Sequence, residues 1–496
     1  MTIENPIATA IACTGRCLWK TSISPARNTL VGVLPGIGST TTIAILAPLA
    51  LGLDPTTSLI MMAGVYYGSM YGGSTTAILI NTPGEASAMM TAIDGYQMAK
   101  KGRAGAALAA AAISSFVAGT LSVVALSVLA VPLSVVALQF GPAEYTGLML
   151  LGISAVSAMA GKSPAKAIIA TILGLMIGTI GTDSQTGVPR FTLGLPVLLD
   201  GVGLTPLVVG LFALGEAFLV LERSLGGSAE IVALRGRLMM TLDEWRRAFW
   251  PMMRGSVLGF YVGLLPGAGP TIATIMSYAM EKRVSKRPET FGKGAIEGVA
   301  GPEAANNACT SGSLLPMLTL GIPGSGGAAV LLGVFIMYGI QPGPLLFQNN
   351  PDLVWGLINS MYVGNVMLLI LNLPLVGIFV RLLYVPQGIL FPIVLAIPVL
   401  GVYGASGNID ELYLLLAFGV LGYVMNKLEI PIGVLILGFV LGGPLENSFR
   451  QSMTLSGGDL GIFVSTPIAA GLFALAVVAI LSPYVRPLLR RRRVEA

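Results

Sequence analysis

The sequence predicts an all-α integral membrane protein with about 11 to 13 transmembrane helices, re-entrant or broken helices and an internal two-fold repeat. The first observation is composition: of 496 residues, 54% are hydrophobic and only 10% are charged, whereas soluble domains carry about 25% charged residues. The second is a series of long, uniformly apolar runs without period-2 alternation, which favours helices over a β-barrel. The third is the motif LPGxGxT, which contains Pro-Gly and occurs twice in the chain.

Composition also excludes several classes of function. The chain contains no histidine, which removes His-activated nucleophiles and the commonest metal ligand. Cys13, Cys17 and Cys309 lack the spacing of a metal site and are expected to be small hydrophobic residues. We therefore expect no enzymatic activity, no catalytic residues, no cofactor and no metal beyond a possible Na⁺. The net charge of +5 does not indicate nucleic-acid binding, because the basic residues lie in short loops and at the chain ends.

The distribution of arginine predicts the domain boundaries and their orientation. Residues 223–254 and the C-terminal end are rich in arginine, and short basic segments lie in the cytoplasm. The predicted units are an N-terminal interfacial segment (1–28), a first transmembrane repeat (29–222), a basic cytoplasmic linker (223–254), a second transmembrane repeat (255–485) and a basic cytoplasmic tail (486–496).

The repeat rests on two pairs of motifs. Residues 32–45 read GVLPGIGSTTTIAI and residues 263–276 read GLLPGAGPTIATIM, with six of fourteen positions identical. About fifty residues later come NTPG at 81–84 and GIPG at 321–324. The offset changes from 231 to 240 residues, which a single nine-residue insertion explains. A parallel or an inverted relation between the halves is compatible with these motifs.

A Pro-Gly break inside a membrane leaves backbone groups without helical partners, and a ligand can satisfy them. The start of a half-helix directs N–H groups and a positive dipole at an anion. Glycines and hydroxyls at such breaks suit a carboxylate without a buried arginine. The predicted substrate-binding residues are Gly36, Ser39, Thr40, Asn81, Thr82, Pro83, Gly84, Gly267, Thr271, Pro323, Gly324 and Ser325.

A polar stretch at 301–313 predicts the coupling-ion site. Polar residues inside a membrane are costly and indicate function. Glu303 and Asn307 lie at i and i+4, hence on one helix face. A carboxylate with amide oxygens suits Na⁺, and Glu303 could instead carry a proton; we therefore assign Glu303, Asn306 and Asn307 to the coupling ion. A polar face that holds helices together is the alternative.

Three other residues are less informative. In the repeat alignment, Tyr66 and Tyr67 fall opposite the two asparagines, where they could donate hydroxyl groups or belong to an interfacial aromatic belt. Arg190 lies in a polar segment that resembles an external loop. It could attract an anion, although most such arginines face solvent.

At these motifs the sequence resembles the large membrane subunit of the tripartite tricarboxylate transporter family. The matching stretches include GVLPGIG, YGSMYGGSTTAILINTPG, TAIDGYQMAKKGRA, GLLPGAGPT, FGKGAIEGVAGPEAANNA and LTLGIPGS, which together span roughly 29–350. The resemblance implies a bacterial inner-membrane secondary transporter, with its C-terminus in the cytoplasm by the charge argument above.

The same resemblance implies a substrate and two protein partners. The substrate would be citrate or another small di- or tricarboxylate, imported with Na⁺ or H⁺ by symport. The partners would be a small membrane subunit with about four spans and a periplasmic solute-binding protein, beside membrane lipid. Two alternatives remain open from the residues alone, namely a stand-alone carboxylate carrier and a channel. A channel would need a continuous polar lining.

Overall fold

The computed structural model describes residues 38–159, 163–183, 185–224, 238–377 and 387–494. These residues are almost entirely helical. The first group of helices is α1 (Ser39–Ala50), α2 (Pro55–Ile80), α3 (Met89–Met98), α4 (Ala104–Ala137), α5 (Pro142–Met159), α6 (Pro164–Gly178), α7 (Leu204–Val208) and α8 (Gly215–Ser224). The second is α9 (Leu242–Leu264), α10 (Gly269–Val284), α11 (Glu297–Leu320), α12 (Gly326–Met337), α13 (Leu346–Asn349), α14 (Pro351–Asn372), α15 (Gln387–Ser406), α16 (Asp410–Lys427), α17 (Ile432–Leu455) and α18 (Pro467–Val494). Two short strands, β1 (Gly181–Thr182) and β2 (Pro189–Arg190), pair antiparallel.

The helix ends follow the local sequence. Asp54 caps α2 by accepting the Thr57 N–H, and Pro55 occupies the first helical position, where its missing N–H costs nothing. Helix α9 begins with a reciprocal capping box between Thr241 and Glu244.

Helix α11 lies at the centre of the molecule. Every residue from Gly298 to Thr319 is buried, although the helix contains Glu303, Asn306 and Asn307. It packs against α9, α4 and α10. Around this centre, α17 packs on α5 and α6, and α5 packs on α18. The helix is therefore enclosed by protein, and its polar side chains face neighbouring helices.

Small residues bring α9 and α11 into close contact. Gly255, Gly259 and Gly263 recur every four residues and so form one stripe on α9. A β-carbon at Gly259 would overlap the backbone of Ala305, and one at Gly263 would lie 2.9 Å from the Ser313 nitrogen. The stripe thus fixes the separation of the two helices.

A buried carboxylate ties the two predicted repeats together. Asp94 on α3 is fully buried, and its Oδ1 accepts the N–H groups of Gly292, Gly294 and Ala295 at 2.7–2.9 Å. Its Oδ2 accepts the Tyr278 hydroxyl of α10 at 2.9 Å. Four donors on one carboxylate satisfy it without a cationic partner, and they fix the segment before α11 against α3.

The described helices include strongly apolar ones. By length and composition, three are able to cross a membrane: the Ala86–Ala137 segment, which is kinked at Gly102 (φ +76°), Pro351–Asn372 and Ile432–Leu455. Shorter apolar helices accompany them, namely Ser39–Ala50, Pro164–Gly178, Leu204–Leu219, Gly326–Met337, Leu395–Gly404 and Pro467–Leu481. The all-α class is confirmed, whereas the number of crossings and the two-fold repeat stay predictions.

One region differs from the predicted domain division. Residues 242–254, assigned to the basic linker, form the first half of α9 and continue into the membrane segment without a break. Linker residues 225–237 and the segments 1–28 and 495–496 lie outside the described residues. The domain division itself stays a prediction.

Candidate substrate and ion sites

A cavity of about 510 Å³ lies where several helices begin. This volume falls in the range of small-molecule sites, roughly 300–1,000 Å³. Helices α1, α10 and α12 each present their first residues to it. The site is completed by Tyr66 and Met70 of α2 and by the start of α17.

The three helix starts lie close to one another. A β-carbon at Gly269 would lie 3.8 Å from the Ser325 Cβ, and one at Gly326 would lie 3.7 Å from the Thr40 hydroxyl. Each helix start leaves backbone N–H groups without intrahelical partners and carries a partial positive charge. Among the described residues, no lysine or arginine lines the cavity. Any attraction for an anion from these residues therefore comes from the helix starts and the hydroxyl groups.

The broken backbone depends on glycine at α10. Gly267 and Gly269 have φ angles of +72° and +62°, a region that residues with a β-carbon seldom occupy. The Gly269 N–H donates to the Gly324 carbonyl at 3.3 Å, which joins the two Pro-Gly segments of the second predicted repeat.

The structure brings together about half of the residues predicted to bind substrate. Those that line the cavity are Ser39, Thr40, Gly267, Thr271, Pro323 and Ser325. Those that do not are Asn81, Thr82, Pro83, Gly84 and Gly324. Gly36 lies outside the described residues. A role of any of them in substrate binding stays a prediction.

The residues that miss the cavity shape the turns beside it. Asn81 ends α2 in the left-handed conformation, and Gly321 ends α11 in the same way. These two positions are aligned by the 240-residue offset of the predicted repeat. Each cap is followed by a Pro-Gly turn. The residue after the first turn is Glu85 and the residue after the second is Ser325, and both line the cavity. The matching turns agree with a repeat at this local level.

Glu85 is the cavity residue that sequence reasoning missed. Its carboxylate accepts the Ser39 N–H at 2.5 Å and the Ser39 hydroxyl at 3.1 Å. It lies directly after the predicted NTPG turn, so an acidic residue in an otherwise apolar segment was the available signal.

Glu303 lies in a second, smaller site. It is 1% exposed. Both carboxylate oxygens accept the Ser74 hydroxyl at 2.7 Å, and Oε2 accepts Ser115 at 3.2 Å. Thr91 also donates to Oε1. These hydroxyl donors come from three different segments of the chain, and sequence spacing could not reveal them.

The two predicted asparagines differ in their contacts. The Asn307 amide donates to the Ser115 hydroxyl at 2.7 Å, which leaves the Ser115 proton available for Glu303. The Asn306 side chain has no hydrogen-bond partner among the described residues, although it is fully buried. Asn307 thus belongs to the Glu303 network, whereas no recorded hydrogen bond links Asn306 to it.

A space of about 10 Å³ adjoins Glu303, roughly the room needed by one water molecule. Asn372 of α14 and Tyr71 of α2 also line it. The Asn372 Oδ1 and the Tyr71 hydroxyl have no hydrogen-bond partner among the described residues. Unpartnered buried oxygens are costly, and a small cation or a water molecule at this point would satisfy them.

The two tyrosines and the arginine have structural partners. The Tyr66 hydroxyl bonds to Ser313 at 3.1 Å and also to Ser325, and Tyr67 bonds to Ser311 at 3.1 Å. Both rings are buried, so they do not form an interfacial belt.

Arg190 donates to Glu446 at 2.7 Å and lies 3.2 Å from Asp183. Arg450 pairs with the same two acids, and its hydrogen bond holds the pKa of Asp183 below the ordinary carboxyl range. The guanidinium of Arg190 is therefore engaged in a charge cluster.

Apolar helices around a cavity lined by helix starts and hydroxyl groups indicate a multi-pass membrane transport protein. The chain matches the tripartite tricarboxylate transporter TctA family over residues 26–437 and belongs to that family. The family resemblance seen in the motifs is thereby confirmed. Membership of a transporter family is consistent with the expectation that the chain is not an enzyme.

Two curated relatives come from Agrobacterium vitis. One is an uncharacterised 52.8 kDa protein of the TAR-I ttuC' 3' region, 46% identical over 462 residues, with 92% of each chain covered. The other is an uncharacterised protein of the TAR-II ttuC' 3' region, 45% identical over 235 residues, covering 47% of this chain and 97% of the relative. No solved structure matches the chain.

Proposed function

We propose that this chain imports a small carboxylate, citrate or another di- or tricarboxylate, across the bacterial inner membrane by ion-coupled symport. A periplasmic binding protein delivers the substrate, and a small membrane subunit with about four spans completes the assembly; both partners follow from membership of a tripartite family. The observation that carries the proposal is the convergence of three helix starts on one cavity.

The cavity offers the chemistry that a carboxylate requires. At the start of α10 the Gly269 N–H is bonded to the Gly324 carbonyl and Pro270 has no N–H. The N–H groups of Thr271, Gly326 and Gly327 have no recorded partner among the described residues and can donate to oxygen, and the helix dipoles favour negative charge. Thr40, Thr271 and Ser325 add hydroxyl donors.

Coupling to an ion is assigned to Glu303. A buried carboxylate that is held only by hydroxyl groups retains its negative charge at a high desolvation cost. A Na⁺ ion or a proton at Glu303 removes that cost. Na⁺ would find additional oxygen ligands in Asn372 and Tyr71, which line the adjoining space.

Helix α2 connects the two sites. Tyr66 and Met70 line the substrate cavity, and Tyr71 and Ser74, about one turn further along, line the space at Glu303. A shift of α2 on substrate binding would therefore alter the ion site, and ion binding would alter the cavity. Reciprocal coupling of this kind is a thermodynamic requirement for two linked sites.

The test is uptake of radiolabelled citrate and a panel of dicarboxylates into proteoliposomes, with and without the purified binding protein, under imposed Na⁺ or H⁺ gradients. We expect uptake that requires the binding protein and one of the gradients. Gradient-driven uptake without the binding protein would identify a stand-alone carrier. Downhill carboxylate flux that does not depend on the Na⁺ or H⁺ gradient and that carries an uncoupled current would identify a channel.

A further inference from the structure

The start of α1 already holds a carboxylate in this conformation, and that carboxylate is the protein's own. Glu85 accepts the backbone N–H and the hydroxyl of Ser39, at 2.5 Å and 3.1 Å, with one oxygen for each donor. A backbone N–H with a neighbouring hydroxyl at a helix start is the arrangement expected for a bound carboxylate ligand. Glu85 thus occupies the position of an anion in the cavity.

The surroundings of Ser39 are shaped for this contact. A β-carbon at Gly38 would approach the Glu85 carboxylate at 3.0–3.3 Å, and one at Gly73 would lie 3.1 Å from the Glu85 Cβ. The Gly84 N–H donates to the Gly73 carbonyl at 3.4 Å. Glycine on both sides therefore lets the Glu85 segment lie against α1 and α2.

The second predicted repeat lacks the equivalent acid. Ser325 follows Pro323-Gly324 as Glu85 follows Pro83-Gly84, and its hydroxyl caps α12 by accepting the Ala328 N–H at 3.1 Å. The start of α10 faces the same cavity without a carboxylate beside it, and offers the Thr271 hydroxyl there, while Pro270 has no N–H to donate. One side of the cavity is therefore occupied by a negative charge and the other is open to one.

We propose that Glu85 determines the number of carboxylate groups that the cavity accepts. The inference rests on the proposed function. While Glu85 holds the start of α1, the cavity binds one carboxylate group at α10 and α12 and repels a second. A di- or tricarboxylate engages both sides of the cavity only when Glu85 leaves Ser39, so the glutamate is a specificity-determining residue that competes with the substrate.

The physical basis is like-charge repulsion in a cavity without basic side chains. Two charges about 6 Å apart interact strongly at the effective dielectric constant of a protein site, about 20. Removal of the Glu85 charge should therefore strengthen the binding of succinate and citrate by at least about tenfold relative to lactate. Lactate, with one carboxylate, serves as the reference, because it needs only the open side.

The experiment measures dissociation constants for lactate, succinate and citrate on the full-length protein in nanodiscs. The variants are Glu85→Gln, which keeps shape and loses charge, and Glu85→Ser, which introduces the residue type of the second repeat. Glu144→Gln is the matched control, because Glu144 is also a buried acid at a helix start and accepts the Gly141 N–H at 3.0 Å away from the cavity. We expect the lactate-to-succinate ratio of dissociation constants to rise at least about tenfold in both Glu85 variants and to stay unchanged in the control.

If the Glu85 variants do not fold, a second pair of variants tests the same proposal by adding a charge at Ser325 instead of removing one at Glu85. Ser325→Glu places a charge on the open side, and Ser325→Gln places a similar volume there without charge. We expect Ser325→Glu to bind all three carboxylates at least about tenfold more weakly than Ser325→Gln. Equal affinities in this pair, or an unchanged ratio in the Glu85 variants, would overturn the role of Glu85 while leaving carboxylate binding intact.

Failure of the wild-type protein and of every variant to bind any of the three probes would overturn the proposed function itself, and the role of Glu85 with it.

Discussion

Gly259 of α9 lies so close to Ala305 of α11 that a β-carbon at the glycine would overlap the alanine backbone. The contact belongs to a stripe of three glycines along α9. In a membrane, such small residues allow packing that lipid alone does not drive.

We expect Gly259→Ala to destabilise the protein, because the added methyl group must separate two helices at the centre of the fold. Overpacking of this kind costs about 1–3 kcal/mol, to be measured as thermal unfolding in detergent. Gly364→Ala is the matched control, since Gly364 lies in α14 with no atom within 4 Å of its added β-carbon. That variant should be neutral or slightly more stable, by up to about 1 kcal/mol. Equal losses in both variants would contradict a role for close packing.

Asp94 supports a second prediction about stability. Asp94→Ala leaves three backbone N–H groups and the Tyr278 hydroxyl without their acceptor. The expected loss is on the order of 3 kcal/mol, because an orphaned buried donor such as the Ala295 N–H costs about 1–3 kcal/mol and the three partly buried donors add smaller losses. Tyr278→Phe removes only one of the four contacts and should cost about 1 kcal/mol. Chemical or thermal unfolding of both variants provides the comparison, and similar losses in the two would show that the backbone contacts contribute little.

Glu303 carries the prediction about ion coupling. Glu303→Gln keeps the side-chain volume and removes the charge that a cation or a proton would neutralise. We expect transport by this variant to lose its dependence on the Na⁺ or H⁺ gradient, measured by counterflow and by gradient-driven uptake in proteoliposomes. Glu144→Gln should transport with its ion dependence unchanged. Wild-type ion dependence in the Glu303 variant would exclude this residue as the coupling site.

Gly267 and Thr271 test the substrate cavity. Gly267→Ala forces a residue with a β-carbon into the left-handed region, at a cost of roughly 1–2 kcal/mol, and moves the start of α10. Thr271→Ala removes one hydroxyl from the lining, worth about 1 kcal/mol or about fivefold in affinity. Both should weaken carboxylate binding to the purified protein.

Gly339→Ala is the control for backbone strain. Gly339 has φ +69° and no atom near its missing β-carbon, and it lies outside the cavity lining. Its substitution costs the same kind of strain and should leave binding unchanged. Normal binding by folded Gly267 and Thr271 variants would remove these residues from the substrate site.

The sequence predicted what depends on composition and local motifs. The helical membrane class followed from hydropathy, and the backbone break at Gly267 followed from Pro-Gly, because backbone chemistry is local. The network of Glu303 with Ser74, Thr91 and Ser115 could not be predicted, because its donors come from different helices whose packing is a property of the whole fold. Glu85 was overlooked for a related reason: its function depends on contact with Ser39, which lies 46 positions away.

The complete burial of α11 has a consequence for biosynthesis. A segment with Glu303, Asn306, Asn307 and two prolines partitions poorly into lipid, since charged residues at the centre of a helix oppose insertion by about 2.5–3.5 kcal/mol each. The translocon would therefore release α11 into the bilayer only together with neighbours that cover it, such as α4 and α9. Burial of Glu303 would thus depend on cooperative insertion of α11 with α4 and α9, and we expect a truncated chain that ends after α11 to be a substrate for membrane quality control.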